Sequence, residues 1–137
     1  MSLGYVFLIV CLISTIPHLT IFRDRVQVLI KAIQYSCEGI KSAFVSEVAF
    51  RQELLLFIVC VSVLFVLDVS NLERAVMISS LFLVLIVEIV NTAFETTIER
   101  ISSEQHILSK KVKDLGSAAV FLSLINFLIT WMIILTG

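Results

Sequence analysis

With 137 residues, a formal net charge of -1 and 59% hydrophobic residues, the chain has room for one domain but carries more apolar side chain than a water-soluble domain of this size. The near-neutral balance excludes the broad basic field that nucleic-acid binding requires, so no nucleic-acid partner is expected. Cys11, Cys37 and Cys60 are too far apart in sequence for a zinc knuckle or a paired redox motif, and read as small apolar fillers.

A mean hydropathy of +1.08 points to lipid as the solvent. A bilayer core about 30 Å thick takes about 20 apolar helical residues, and that length is the ruler for each segment. Residues 3–22 contain no Asp, Glu, Lys or Arg, although Pro17 and His18 interrupt them. They are expected to form an extra N-terminal hydrophobic helix, uncleaved and ahead of the functional domain of residues 23–137. Over residues 24–46, Val26, Leu29, Ile30, Ile33, Cys37, Ile40 and Phe44 recur at helical spacing, while Gln27, Lys31, Gln34, Glu38 and Lys41 take another face. This predicts an amphipathic helix lying on the membrane surface or packed against the spanning helices.

Three spans follow, over residues 48–67, 75–95 and 115–135. The first has Arg51 and Glu53 in its opening turns and an unbroken apolar run from Leu54 to Leu67. A polar connection, Asp68 to Arg74, leads to the second. The third is uncharged, with Trp131 near its exit, where an indole suits the interface. The expected fold is thus an all-α membrane protein.

Orientation follows from the basic residues, which stay on the cytoplasmic side of spans. Nine of the ten fall in two places: Arg23, Arg25, Lys31, Lys41 and Arg51, then Arg100, Lys110, Lys111 and Lys113. The amphipathic helix and the 96–114 loop therefore share the cytoplasmic face, while Arg74 and the C-terminus face outward.

The chemistry-bearing pattern lies in the second span. After a charge-free run, Glu88, Asn91, Glu95 and Glu99 appear in turn. At about 100° per residue, Glu88 and Glu95 fall within about 20° of each other, so one helix stripe carries three carboxylates. A charge at membrane depth costs about 2.5–3.5 kcal/mol by insertion scales, and stacked like charges repel unless a cation sits among them. A basic partner for Glu88 would be the simplest compensation. Mg²⁺ suits the whole stripe better, because it takes one or two protein carboxylates and completes its shell with water and substrate phosphates. Glu47, at the head of the preceding span, stands on the same membrane side and offers another ligand. Lys110, Lys111 and Lys113 precede Asp114 across the loop, and Lys113 is the best placed of them to touch phosphate. No phosphate-binding glycine loop of the common nucleotide folds is present.

The runs SEVAFRQE (Ser46 to Glu53), EIVNTAFE (Glu88 to Glu95), SSEQH (Ser102 to His106) and KDLGSAAV (Lys113 to Val120) resemble the signature segments of the prokaryotic diacylglycerol kinases. The likeness extends from about Lys31 to the end of the chain, and AFRQE with KDLGSAAV is closer to the Gram-negative lipid kinases than to the undecaprenol kinases. The resemblance implies an inner-membrane homotrimer with ATP and a membrane lipid as substrates, Mg²⁺ as cofactor, and active sites between subunits on the cytoplasmic side. It implies that Glu88 is the general base on the lipid hydroxyl and that Glu47 and Glu95 bind the metal. Tyr35, Glu47, Glu95, Glu104, Gln105, His106, Lys113 and Asp114 would contact the nucleotide. Ser36, Arg51, Gln52, Glu53, Asp68, Arg74, Glu88, Ser117 and Trp131 would line the lipid path, with Asn91 in support.

The chain departs from the family pattern where Val28 replaces an arginine, Cys37 a tryptophan and Gln105 a tyrosine. Arg25, one turn before Val28, is the candidate substitute for that arginine. Residues 1–22 exceed the usual beginning of the family. The reading that follows is ATP-dependent phosphorylation of diacylglycerol to phosphatidic acid, with undecaprenol or another lipid alcohol as the alternative acceptor. Two non-enzymatic readings of the residues stand beside it: a proton or cation relay, and an assembly subunit whose polar stripe joins helices.

Overall fold

The computed structural model describes the backbone of residues 3–101 and 106–137, and the side chains of residues 22–101 and 106–137. Among the described residues there are four helices and no strand: α1 Leu3–Ser46, α2 Val48–Leu64, α3 Asn71–Ile101 and α4 Ile107–Thr136. Residues 1–41 and 42–137 form two compact units.

In the first unit, α1 runs without a break through Pro17, where the sequence pointed to an interruption. An internal proline removes one backbone hydrogen bond and bends a helix, but the neighbouring residues keep their ladder. In an apolar stretch that ladder is the cheapest way to satisfy the backbone. The backbone therefore does not mark the expected division between residues 1–22 and 24–46. The predicted apolar face from Val26 to Ile40 is exposed in the single chain, with Leu29, Ile33 and Ile40 more than half so.

In the second unit α3 is the central element, packed against both α2 and α4. Its start is fixed by a reciprocal cap: Ser70 N–H donates to Glu73 Oε2 at 2.8 Å, and Glu73 N–H donates to Ser70 Oγ at 3.3 Å. Its buried residues are Met77, Ser80, Leu81, Val84, Leu85 and Glu88, a spacing of three and four that draws one stripe along the helix. Phe50 and Ala43 pack on Leu85, while Leu81, Val84 and Phe127 form a second cluster with Phe57, Cys60 and Trp131 around it. Phe57 meets Phe82 edge-on at 4.7 Å between ring centroids. Ser80 and Ser123 are buried and satisfy their hydroxyls within their own helices, on Met77 O and Val120 O, each at 2.7 Å.

Among the described residues two helices, α3 and α4, are long and apolar enough to cross a membrane. At about 1.5 Å per residue α3 is about 46 Å long, well beyond a hydrocarbon core of about 30 Å. The span expected at 48–67 is shorter: α2 has 17 residues and ends at Leu64, after which Phe65, Val66 and Leu67 close a turn on Ser62 O and Val63 O. The apolar composition continues past that turn, so hydropathy alone does not reveal it.

Candidate active site

The buried stripe of α3 changes chemistry without changing face. Glu88 is its last fully buried member, 4% exposed, and Asn91, Glu95 and Glu99 continue it toward the helix end. Asn91 Nδ2 donates to Glu95 Oε1 at 3.3 Å, which orients that carboxylate. The other end of the amide, Oδ1, is buried without a hydrogen-bond partner among the described residues. It lies against Gly116 of α4, where even a Cβ would collide with it. The sequence pattern did not single out Gly116, since one glycine in an apolar helix announces nothing until its neighbour is known.

Glu88 lies in the electrostatic field of both Glu95 and Glu47, and Glu53 lies in the field of Glu88. Four carboxylates, from α2, α3 and the α1–α2 junction, are thus linked by mutual repulsion through Glu88. The ion pairs among the described residues are Lys110–Asp114 at 2.7 Å and Lys113–Glu99 at 2.9 Å. Neither involves Glu88, so the simple compensation by a basic partner is not what this arrangement uses. Among the described residues no three His, Cys, Asp or Glu side chains converge closely enough to enclose a metal by themselves.

Glu47 is the single residue between α1 and α2, with φ -103° and ψ 120°, and its carboxylate makes no capping bond. Half-buried and free of that duty, it is, like Glu95, a hard oxygen donor acting on Glu88. Two such donors fit a hard divalent cation that draws its remaining ligands from water and phosphate. Arg51, one turn into α2, turns away from Glu47 and donates through Nη1 to Phe44 O at 2.9 Å and Val45 O at 3.0 Å.

At the far end of α3, Lys113 crosses to Glu99, and this hydrogen bond is the main reason its pKa rises above that of an ordinary lysine. Lys110, not Lys113, pairs with Asp114. His106 caps α4: its Nδ1 accepts from Leu108 N–H at 3.2 Å, so Nε2 is the ring edge left for other contacts. Glu104 and Gln105 lie outside the described residues.

The residues expected along the lipid path are dispersed. Gln52, Asp68 and Ser117 are exposed, and Glu53 is half-buried with Oε2 lacking a partner among the described residues. Arg74 donates to Leu67 O at 3.4 Å across the α2–α3 turn. Trp131 lies tilted against Phe127, 5.3 Å between ring centroids, and donates Nε1–H to Met77 O at 3.4 Å, so it secures α4 to α3. On the first unit, Tyr35 is exposed and Ser36 returns its hydroxyl to Ala32 O at 2.9 Å.

Comparison with known proteins bears on what this arrangement does. Residues 34–135 match the sequence profile of a family described as prokaryotic diacylglycerol kinase. The chain is 50% identical over 109 residues to a diacylglycerol kinase of Pseudomonas aeruginosa, covering 80% of this chain and 89% of that relative. It is 47% identical over 107 residues to the diacylglycerol kinase of Escherichia coli (strain K12), covering 78% of this chain and 88% of the relative. A diacylglycerol kinase of Haemophilus influenzae is 44% identical over 103 residues, covering 75% and 87%.

Proposed function

The chain belongs to the prokaryotic diacylglycerol kinase family, and from that premise we propose how its residues carry the γ-phosphate of ATP to the hydroxyl of diacylglycerol. The protein is a membrane-bound lipid kinase whose product is phosphatidic acid. The observation that carries the residue assignment is the burial of Glu88 within the fields of Glu47 and Glu95.

Glu88 orients the acceptor hydroxyl and takes its proton as the oxygen attacks the γ-phosphorus in line with the departing ADP. Glu47 and Glu95 would hold Mg²⁺, which when bound supplies positive charge to the phosphate oxygens. Asn91 keeps the Glu95 carboxylate in place through its amide. Lys113 and Asp114, with the open edge of His106, meet the nucleotide from the start of α4. Tyr35, Glu104 and Gln105 complete that contact by their match to the family pattern. Ser36, Gln52, Glu53, Asp68, Arg74, Ser117 and Trp131 border the route of the lipid, and Arg25 stands in for the arginine that Val28 replaces.

The membrane arrangement belongs to the same reading. The helices α2, α3 and α4 cross the bacterial inner membrane, residues 24–46 lie along its cytoplasmic surface, and three copies assemble with their sites facing the cytoplasm. Residues 1–22 add a further hydrophobic segment ahead of this domain. Keeping the acceptor in the bilayer makes a closed protein pocket for its acyl chains unnecessary.

Purified protein, γ-labelled ATP and a panel of diacylglycerol, undecaprenol and ceramide test the reading directly. Label is expected in phosphatidic acid, and Glu88→Gln is expected to reduce that transfer by about 10²–10⁴-fold, the usual contribution of a general base, while membrane insertion is unaffected. Transfer at the unmodified rate by the Glu88→Gln enzyme would remove Glu88 from its role, and preferential labelling of undecaprenol would reassign the acceptor.

A further inference from the structure

The junction between α1 and α2 is a single residue long, yet the helices on either side are regular. A helix end leaves backbone carbonyls without intrahelical partners, and these must be satisfied from elsewhere. Glu47 N–H closes the last turn of α1 on Ala43 O at 2.9 Å, but the chain then swings away from Phe44 O and Val45 O. Both of those carbonyls are taken up by Arg51 Nη1, at 2.9 and 3.0 Å.

The choice of partner is informative. Glu47 and Arg51 are four residues apart, a spacing that favours an ion pair along a helix face. No such pair is formed: the guanidinium reaches backward to the backbone of the preceding helix, and the Glu47 carboxylate is left uncompensated within the field of Glu88. A cation adjacent to that carboxylate would compete with a metal ion for it. Arg51 instead braces the elbow and keeps its charge on the carbonyl ends of α1, where a cation is favoured.

We infer that Arg51 is a positioning residue for Glu47, whose guanidinium locks the one-residue elbow between α1 and α2 and so fixes where the Glu47 carboxylate is presented to a divalent cation. This rests on the reading of Glu47 as a metal ligand. It assigns Arg51 a backbone-bracing task in place of the lipid contact expected from the family pattern. The positioning is indirect, as with groups that orient metal ligands from behind, where loss of the supporting contact weakens affinity more than it disturbs the fold.

The test uses the full-length enzyme in lipid–detergent micelles, with Mn²⁺ as the probe, read by electron paramagnetic resonance in the presence of ATP. Three variants are compared with the unmodified chain: Arg51→Met, Arg51→Lys and Glu47→Gln. Arg51→Met is expected to weaken Mn²⁺ binding about tenfold and to raise the Mg²⁺ needed for half-maximal turnover by the same factor, with the KM for diacylglycerol unchanged. Arg51→Lys, which keeps a donor cation on a shorter arm, is expected to recover part of the loss. A raised KM for diacylglycerol with unchanged Mn²⁺ binding would overturn the inference and restore Arg51 to the lipid path. Glu47→Gln separates the two layers. If it weakens Mn²⁺ binding while Arg51→Met does not, only the bracing role fails; if it leaves binding unchanged, the metal role of Glu47 falls and the bracing role falls with it.

Discussion

Glu88 occupies a position that the helix period assigns to the core. Met77, Leu81, Val84 and Leu85 precede it on the same face, and an apolar side chain there would simply extend the packing. Glu47 and Glu95 add like charge around it, so the carboxylate calls for the cation proposed at this site to offset the repulsion. Lys113 shows the complementary logic at the rim. It lies outside the charge-free span of α4 and is held by Glu99 of α3, both side chains retaining access to solvent. Exposed ion pairs add little to stability, so this one is better suited to keeping an ammonium in readiness than to holding helices together. Glu99→Gln is expected to leave the thermal unfolding midpoint nearly unchanged. Lys113→Met is expected to raise the KM for ATP about tenfold, the order associated with losing one hydrogen bond to a charged group, with the KM for diacylglycerol unaffected. Steady-state kinetics with each substrate varied in turn checks both; an unaltered KM for ATP in Lys113→Met would exclude a phosphate contact.

At the scale of the helices, α4 comes close to α3 where Gly116 meets Asn91. A methyl group at 116 would meet the amide oxygen directly, so Gly116→Ala must push the helices apart or turn the Asn91 side chain away from Glu95. Overpacking of this kind costs about 1–3 kcal/mol. The expected outcome is a lowered unfolding midpoint together with a weakened Mg²⁺ response, since the orienting bond to Glu95 is lost with the displacement. A variant that unfolds earlier yet titrates normally with Mg²⁺ would detach Asn91 from the metal site. Much of this level was legible in the sequence. Helices over 75–95 and 115–135 were evident because long charge-free runs admit few other structures in lipid, and the Glu88 stripe followed from helical arithmetic. Other features were not. The Ser70–Glu73 cap lay inside what composition presented as a polar connection, and the end of α2 fell within an apolar run that hydropathy reads as continuous. The Arg51 brace has backbone carbonyls as partners, which no residue pattern displays. The Lys113–Glu99 pair joins side chains 14 positions apart, beyond the reach of local spacing rules.

For the whole molecule, the burial pattern makes lipid a part of the fold. Few side chains are fully covered within the second unit, and large apolar ones such as Leu55, Ile58, Phe82, Phe121 and Ile133 remain open on the helix surfaces. In water such surfaces would drive association; in a bilayer they are compatible with lipid as the surrounding solvent. Glu88 and Glu95 share one face of one helix, and the proposed site takes both from the same protomer. Co-expressing Glu88→Gln and Glu95→Gln chains is therefore expected to yield mixed oligomers as inactive as either alone, measured by phosphatidic acid formation in membranes. Recovery of activity on mixing would show that one site draws the two carboxylates from different protomers. The length of α3 carries one more consequence. A single stiff rod, longer than the oily layer it crosses, sets the height of the reacting groups the way a gauge sets a depth. Acceptor molecules can then arrive by drifting sideways within their leaflet, and the distance left for the soluble donor to cover is decided by membrane thickness instead of by the closing of a flap.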